Sequence, residues 1–275
     1  MNHPTLMLHL DESSACPDRT SLAMELARRF SCHLTGLTAA GTLPFSAAAG
    51  PALGGADRIA STVSHMIERA ARRGEAFEAR CRACGLVSFD TTQAEDDDAS
   101  ALVRASHASD LMVLSQGQDD ESHRLVEDVV LKSARPVLVV PPVPRPEAWG
   151  RHILVAWDSS RACARAVADA LPFLRQAEQV RLLGCETALD EGHAIHAADL
   201  AEVAAWLKRH GIQAAHGIEL TEIDVGNALL SRTADWDIDL LVMGAYGHTR
   251  WSERILGGVT RTVLKTMTVP VLMSH

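Results

Sequence analysis

The stretch Asp239-Leu-Leu-Val-Met-Gly-Ala-Tyr-Gly-His-Thr-Arg-Trp-Ser-Glu-Arg-Ile-Leu-Gly-Gly-Val-Thr-Arg-Thr-Val-Leu-Lys265 decides the fold. Leu240 to Met243 is an unbroken apolar run, short enough for a strand buried on both faces of a parallel sheet. Gly244 and Gly247 stand at its carboxyl end, nine residues intervene, and Gly257 and Gly258 precede a helical pattern with Val259, Val263 and Leu264. Glycines at a strand exit and again at a helix entrance let backbone N–H groups approach a ligand. The amino end of the helix adds about half a positive charge. That combination suits a phosphate. A tight loop that only reverses the chain is the other reading of the same glycines.

The 275 residues amount to about two ordinary domains, and 47% of them are hydrophobic, enough for real cores. A formal net charge of -9 and a pI of 5.8 speak against nucleic-acid or anionic-membrane binding, which needs a basic face. The first residues show no charged-then-apolar leader, and no apolar run approaches the roughly 18 residues of a membrane helix. A cytoplasmic protein is expected. Its six cysteines are too sparse for a disulfide scaffold and read as free thiols.

Along the first half, strand and helix signals alternate. Leu6 to Asp11 reads as a strand, and Ser13 and Ser14 as caps of a helix with Leu22, Ala23, Leu26 and Phe30 on one stripe. His33 to Thr38 is a second strand, and the Ala/Gly/Pro-rich Gly41 to Gly55 a loop. Asp57 to Cys84 is a long helix whose outer face carries Arg69, Arg72, Arg73 and Arg80. Val87 to Ala94 is a strand, Ser100 to Ser106 a helix, Leu111 to Leu114 a strand, Leu125 to Ser133 a helix, and Pro136 to Val140 a fifth strand. Four prolines within Pro141 to Pro146 then form a stiff linker.

The same order runs a second time. Ile153 to Asp158 matches Leu6 to Asp11, both ending on aspartate, and Ser159 and Ser160 precede a helix with Ala164, Val167, Ala168 and Leu171. Val180 to Gly184 is a strand, Ala194 to His210 a helix, Ala214 to Leu220 a strand, and Asp224 to Ala234 a helix. Asp239 to Met243, Val259 to Met267 and Val269 to Met273 close the series as strand, helix and strand. Asp110 to Leu114 aligns with Asp239 to Met243, and Val130 to Leu138 with Val263 to Leu272. This is an internal duplication of a β/α unit of roughly 130 residues. The expected fold is α/β, with two tandem doubly wound, mainly parallel sheets. Helices cover both faces, and ligands lie outside the strands' carboxyl ends. The halves are residues 1–140 and 151–275, joined by the proline-rich linker 141–150.

With Gly244-x-x-Gly247-x9-Gly257 between fourth strand and last helix, the Asp158-Ser-Ser start of the first helix and the closing Val269-Pro-Val-Leu272, the chain resembles the universal stress proteins. The resemblance covers the whole chain as a tandem pair. It implies five-stranded, Rossmann-like sheets of order 3-2-1-4-5. It also implies pairing of the two final strands, Pro136 to Val140 against Pro270 to Met273, within the chain. One branch of the family binds ATP through the glycine loop, so ATP with Mg2+ is the implied cofactor. Carried over, Asp158 would lie near the adenine and Met243 and Gly244 beside the nucleoside. Gly247, Gly257, Gly258, Val259 and Thr260 would surround the phosphates.

Two positions depart from that pattern. The ATP-binding branch usually has Ser or Thr after the third glycine, where Gly258 supplies no hydroxyl. Trp157 stands beside Asp158 where a smaller residue is usual, so its indole stacks on adenine or fills its place. Arg250 and Arg254, inside the loop, either offset the lost hydroxyl by charge-assisted bonds or form an exposed loop face. The first half has lost the glycines. Gly117 alone remains, Arg124 and Leu125 stand where Gly257 and Gly258 stand, and Asp119 to Glu121 would repel phosphate. That half is expected to bind no ATP and to serve as a structural partner.

Other constellations read as structure. Cys81-Arg-Ala-Cys84 follows a helix instead of opening one, and no second pair completes a zinc site. His193 and His196 sit at a helix start and read as a solvated face. Asp96 to Asp98 read as the cap and acidic first turn of the next helix. No Walker loop, GxGxxG or GxSxG stands in the chain, and no acid pair or Ser/His/Asp set is arrayed for catalysis, so an enzyme is not indicated. The expected function is a stress-response protein that senses or stores an adenine nucleotide in its second half. The alternative is a nucleotide-independent interaction scaffold. An adenine-nucleotide α-hydrolase is a third reading, without a visible activating set. Protein partners are not written in the sequence, and sheet edges leave a homodimer open.

Overall fold

A computed structural model describes residues 4–41, 55–143, 149–187, 195–246 and 258–275, with the backbone alone at 55–59. By its contacts the described chain divides into two units. One holds residues up to Leu114 together with Ser133–Arg135; the other holds Ser115–Lys132 and Pro136–His275.

The first unit runs β1 (Thr5–His9), α1 (Cys16–Phe30), β2 (His33–Ala39), α2 (Gly55–Ala83), β3 (Phe89–Ala94), α3 (Asp98–Ala105) and β4 (Leu111–Ser115). Its strands lie in the order β3-β2-β1-β4, all parallel. The central strands are apolar because helices cover both faces, and Leu6, Leu8, Leu34, Leu111 and Val113 are fully buried. The outermost strand, β3, is largely exposed, which explains its polar sequence Phe-Asp-Thr-Thr-Gln-Ala.

The second unit runs α4 (Asp120–Lys132), β5 (Val137–Val140), β6 (His152–Trp157), α5 (Arg161–Asp169), α6 (Leu171–Leu174), β7 (Gln179–Thr187), α7 (Ala197–Arg209), β8 (Ala214–Thr221), α8 (Val225–Asp235), β9 (Leu240–Gly244), α9 (Gly258–Thr266) and β10 (Val271–Ser274). Its strands lie in the order β5-β10-β9-β6-β7-β8. All neighbours are parallel except β5 and β10, which pair antiparallel with Leu138 opposite Leu272. The expected pairing of the two closing strands is therefore present. The second repeat's strands read 3-2-1-4-5, and the first repeat's α4 and β5 group with them.

The duplication extends to individual hydrogen bonds. Asp110 and Asp239 hold the same place before the fourth strand of each repeat. Asp110 accepts the Thr5 N–H at 3.0 Å, and Asp239 accepts those of Arg151 and His152 at 3.0 and 3.1 Å. Each carboxylate thereby ties the start of its strand to the start of the neighbouring one. Burial raises the Asp239 pKa against those bonds.

Several local expectations need correction. Ser13 and Ser14 do not cap α1, which begins after Ala15 with Pro17 in its first turn; Ser13 instead donates its N–H and hydroxyl to Asp11. The helix expected from Leu125 begins at Asp120. Asp119 accepts the Ser122 N–H at 2.8 Å, so the three acids are the cap and first turn of α4, where the helix dipole favours them. The buried stripe of α5 is Ala162, Cys163, Ala166 and Val167, while Ala164 and Ala168 are exposed. Arg73 does not lie on an outer face. It donates to the Ala39 carbonyl at 2.9 Å and, with Arg69, to Glu12. The cap of α3 is as expected, with Asp97 accepting the Ser100 N–H at 3.0 Å.

Candidate functional site

The carboxyl ends of β6 and β9 are neighbours, since Ala156 lies opposite Met243. The chain leaves β6 through Trp157 and Asp158 and turns into α5. Asp158 Oδ1 accepts the Ser160 N–H at 2.9 Å, Ser159 takes a left-handed φ of 60°, and Ser160 Oγ caps α5 by accepting the Cys163 N–H at 3.1 Å. This turn presses α5 onto the end of β9. A Cβ added to Gly244 would lie 2.5 Å from Cys163 N and 2.8 Å from the Ala162 carbonyl carbon. The lack of a side chain at Gly244 is thus demanded by helix–strand contact. The Cys163 thiol donates to the Ala156 carbonyl at 3.1 Å, and burial, then the Asp158 charge, drive its pKa far up.

From Gly244 the chain continues through Ala245, whose N–H donates to Ser274 at 2.8 Å, to Tyr246 at a left-handed φ of 60°. That conformation is costly for a bulky residue and must be held by its surroundings. The Tyr246 N–H donates to Thr260 Oγ1 at 3.2 Å, and its ring stands edge-on to His275 with centroids 6.0 Å apart. Burial, then the charges of Glu127 and Asp128, raise the phenol pKa well above its usual value. Thr260 is in the first turn of α9, so the amino terminus of that helix is brought to the carboxyl end of β9. Gly258, the first residue of α9, is exposed, and a Cβ there would meet nothing within 4 Å. On its other side α9 packs closely on α8, where a Cβ at Gly226 would stand 2.8 Å from Thr262 Cβ.

Residues 150–275 match the family model described as the universal stress protein family. The full-length fold agrees. A universal stress protein of Archaeoglobus fulgidus superposes with a TM-score of 0.72 at 16% identity, over 100% of this chain and 99% of the other. A functionally unknown protein of Pseudomonas aeruginosa superposes at 0.60 and 16% identity, over 99% of this chain and 92% of its own. No curated protein matches the sequence. Along its whole length the fold is similar to that universal stress protein.

Of the residues that the universal stress protein pattern marks in this chain, Asp158, Met243, Gly244, Gly258, Val259 and Thr260 are described. They gather at the carboxyl ends of β6 and β9 and the first turn of α9. Gly247, Gly257, Arg250 and Arg254 lie outside the described residues, as do His193 and most of the Ala/Gly/Pro-rich and proline-rich segments. The Thr260 hydroxyl, buried with its residue 3% exposed, already serves the Tyr246 N–H. Trp157 is 8% exposed and its Nε1 has no hydrogen-bond partner among the described residues; the same holds for Tyr246 Oη.

The equivalent aspartate of the first unit, Asp11, has different surroundings. Asp11 accepts the Ser13 N–H at 3.1 Å, as Asp158 does that of Ser160. The fully buried Arg19 also donates to Asp11 at 2.8 Å and to the His9 carbonyl at 3.0 Å. Although burial opposes it, the Arg19 charge, then His9, hold the Asp11 pKa down to about 2. Eight residues after Asp158 stands Ala166 instead of an arginine. Sequence reading missed Arg19, Tyr246 and Gln116, because an arginine, tyrosine or glutamine carries no pattern that announces burial.

The remaining constellations are structural. Cys81 is fully buried, its thiol pushed up to about 11 chiefly by burial, and Cys84 Sγ donates to the Cys81 carbonyl at 3.3 Å at the end of α2. Among the described residues no three His, Cys, Asp or Glu side chains are placed to hold a metal, and no helix is long and apolar enough to cross a membrane.

Proposed function

We propose that the second unit binds an adenine nucleotide at the carboxyl ends of β6 and β9, as a sensor or regulator in a stress response. The observation that carries the proposal is the Tyr246 N–H to Thr260 Oγ1 bond, which sets the amino terminus of α9 beside the exit of β9. A helix amino terminus offers unpaired N–H groups and partial positive charge, the donor set that a polyphosphate needs. The half-buried Asp158 carboxylate, at the carboxyl end of β6, suits the amine or hydroxyls of a nucleoside. Trp157 Nε1, without a partner among the described residues, adds a buried donor at the same strand end. These described residues fit an adenine nucleotide, with Gly258, Val259 and Thr260 on the phosphate side; Gly247 and Gly257 are assigned to the same side by resemblance alone. Domains 1–140 and 151–275 are read as the duplicated units, the first structural and the second ligand-binding.

A second reading, a nucleotide-independent scaffold, is favoured by one observation. Gly244 is explained by its contact with α5 alone, so that glycine needs no ligand.

The test is to purify the protein without added ligand, denature it and identify released small molecules by mass spectrometry. The stripped protein is then titrated calorimetrically with ATP, ADP and AMP. One adenine nucleotide per chain is expected. No nucleotide by either route would leave the scaffold reading standing.

A further inference from the structure

The segment Ser115–Lys132 belongs by sequence to the first repeat, yet it is part of the second unit. Its first contact there is made by Gln116, 8% exposed, whose N–H donates to the Val140 carbonyl at 2.8 Å. The Gln116 side-chain amide donates to the Leu264 carbonyl at 2.9 Å, across 148 positions of sequence. Leu264 lies in the last turn of α9, and the final carbonyls of a helix have no partner within it. Gln116 is thus a C-terminal cap for α9 supplied by the other repeat. Two further contacts reach the same helix. The Glu127 carboxylate, in α4 and nearly buried, stands 3.8 Å from Arg261 Nε. The Tyr246 phenol, influenced by Glu127, Asp128 and Arg261, belongs to the residue whose N–H holds Thr260 in the first turn.

We infer that the first repeat's segment from Gln116 through α4 positions α9, and with it the phosphate end of the nucleotide site. Gln116 is the principal positioning residue. The inference rests on the nucleotide-binding reading above. It follows from where the bonds lie, because α9 is held at its first turn beside α4 and at its last turn by Gln116. A buried amide bonded to a single carbonyl specifies position in a way that an apolar contact does not, since leaving either partner unpaired is costly. It also assigns a task to a half whose own loop lacks the glycines: it aims the helix that its neighbour uses.

The test compares wild type, Gln116→Leu and Glu127→Gln by calorimetry with ATP and with adenosine, well below their melting temperatures. Leucine keeps the apolar bulk of Gln116 but removes the donor to Leu264. A merely structural role would lower the melting temperature and leave both affinities of the folded protein unchanged. Positioning predicts a loss of about tenfold for ATP in Gln116→Leu, the worth of one hydrogen bond to a charged-group site, with adenosine affinity unchanged. Glu127→Gln, which keeps shape and so folds, should lose ATP affinity in the same selective way by a smaller factor. Equal ATP affinity in all three proteins, or equal losses for ATP and adenosine, overturns the inference while leaving nucleotide binding intact. A wild type that binds neither ligand overturns the binding reading itself, and this inference with it.

Discussion

An added Cβ at Gly244 would lie 2.5 Å from a backbone nitrogen of α5, whereas one at Gly258 would meet nothing within 4 Å. The two glycines of one motif therefore answer to different demands. Gly244→Ala should destabilise the protein by about 1–3 kcal/mol in denaturant unfolding, the usual cost of overpacking against backbone. Gly258→Ser should fold at least as well. If phosphate lies at the start of α9, its hydroxyl should tighten ATP by about tenfold in calorimetry; weakened binding would count against a phosphate at that position. Asp11 carries a pH dependence. Because its pKa is depressed to about 2, its ion pair contributes stability above about pH 4, lost as pH falls toward 2. Asp11→Asn leaves Arg19 buried without its charge partner. It should cost about 3 kcal/mol at pH 7, a gap to wild type that closes between about pH 4 and pH 2 in thermal unfolding.

Element boundaries follow from caps more than from apolar periodicity. Asp97, Ser160 and Asp224 accept the N–H three residues on and start α3, α5 and α8. Ser160→Ala should cost about 1 kcal/mol by chemical denaturation, because the Cys163 N–H would lose its partner at a half-buried turn. The start of α4 was hidden for a definite reason. Asp119 to Glu121 read only as acids that would repel phosphate, because apolar periodicity begins at Leu125, although acids also suit a helix's first turn. The bond from Ser122 to Asp119 selects the helix. Strands show the opposite balance. β6, β9 and β10 were plain as apolar runs, while β8 extends one residue beyond its expected end, with Leu220 75% exposed on the outermost strand of its unit.

The whole molecule is a duplicated sequence whose contact units do not follow the repeats, since α4 and β5 group with the second half. A fragment of residues 149–275 would leave the buried strand β10, Val271 to Ser274, without its antiparallel neighbour and α9 without Gln116. Such a fragment should aggregate or pair with itself through that edge. Residues 115–275 should stay a folded monomer, as size-exclusion chromatography and thermal unfolding of the two will show. Equal behaviour of both fragments would mean that β5 and α4 add little to the second unit.

The sequence by itself determined the α/β class and the repeat, while the strand order of the second half, the pairing of the closing strands and the neighbourhood of Asp158, Gly244 and Thr260 came through family resemblance. The class, the repeat and the motifs that carry the resemblance are written in local terms: apolar runs, glycine spacing and residues that recur at matching offsets. Only the tertiary structure decided that Arg19 occupies the first aspartate, that Thr260 serves a backbone N–H, and that Gln116 caps a helix 148 residues away. Those outcomes depend on which polar groups are buried together. Burial of a polar side chain is settled by the packing of distant segments, which no local pattern records.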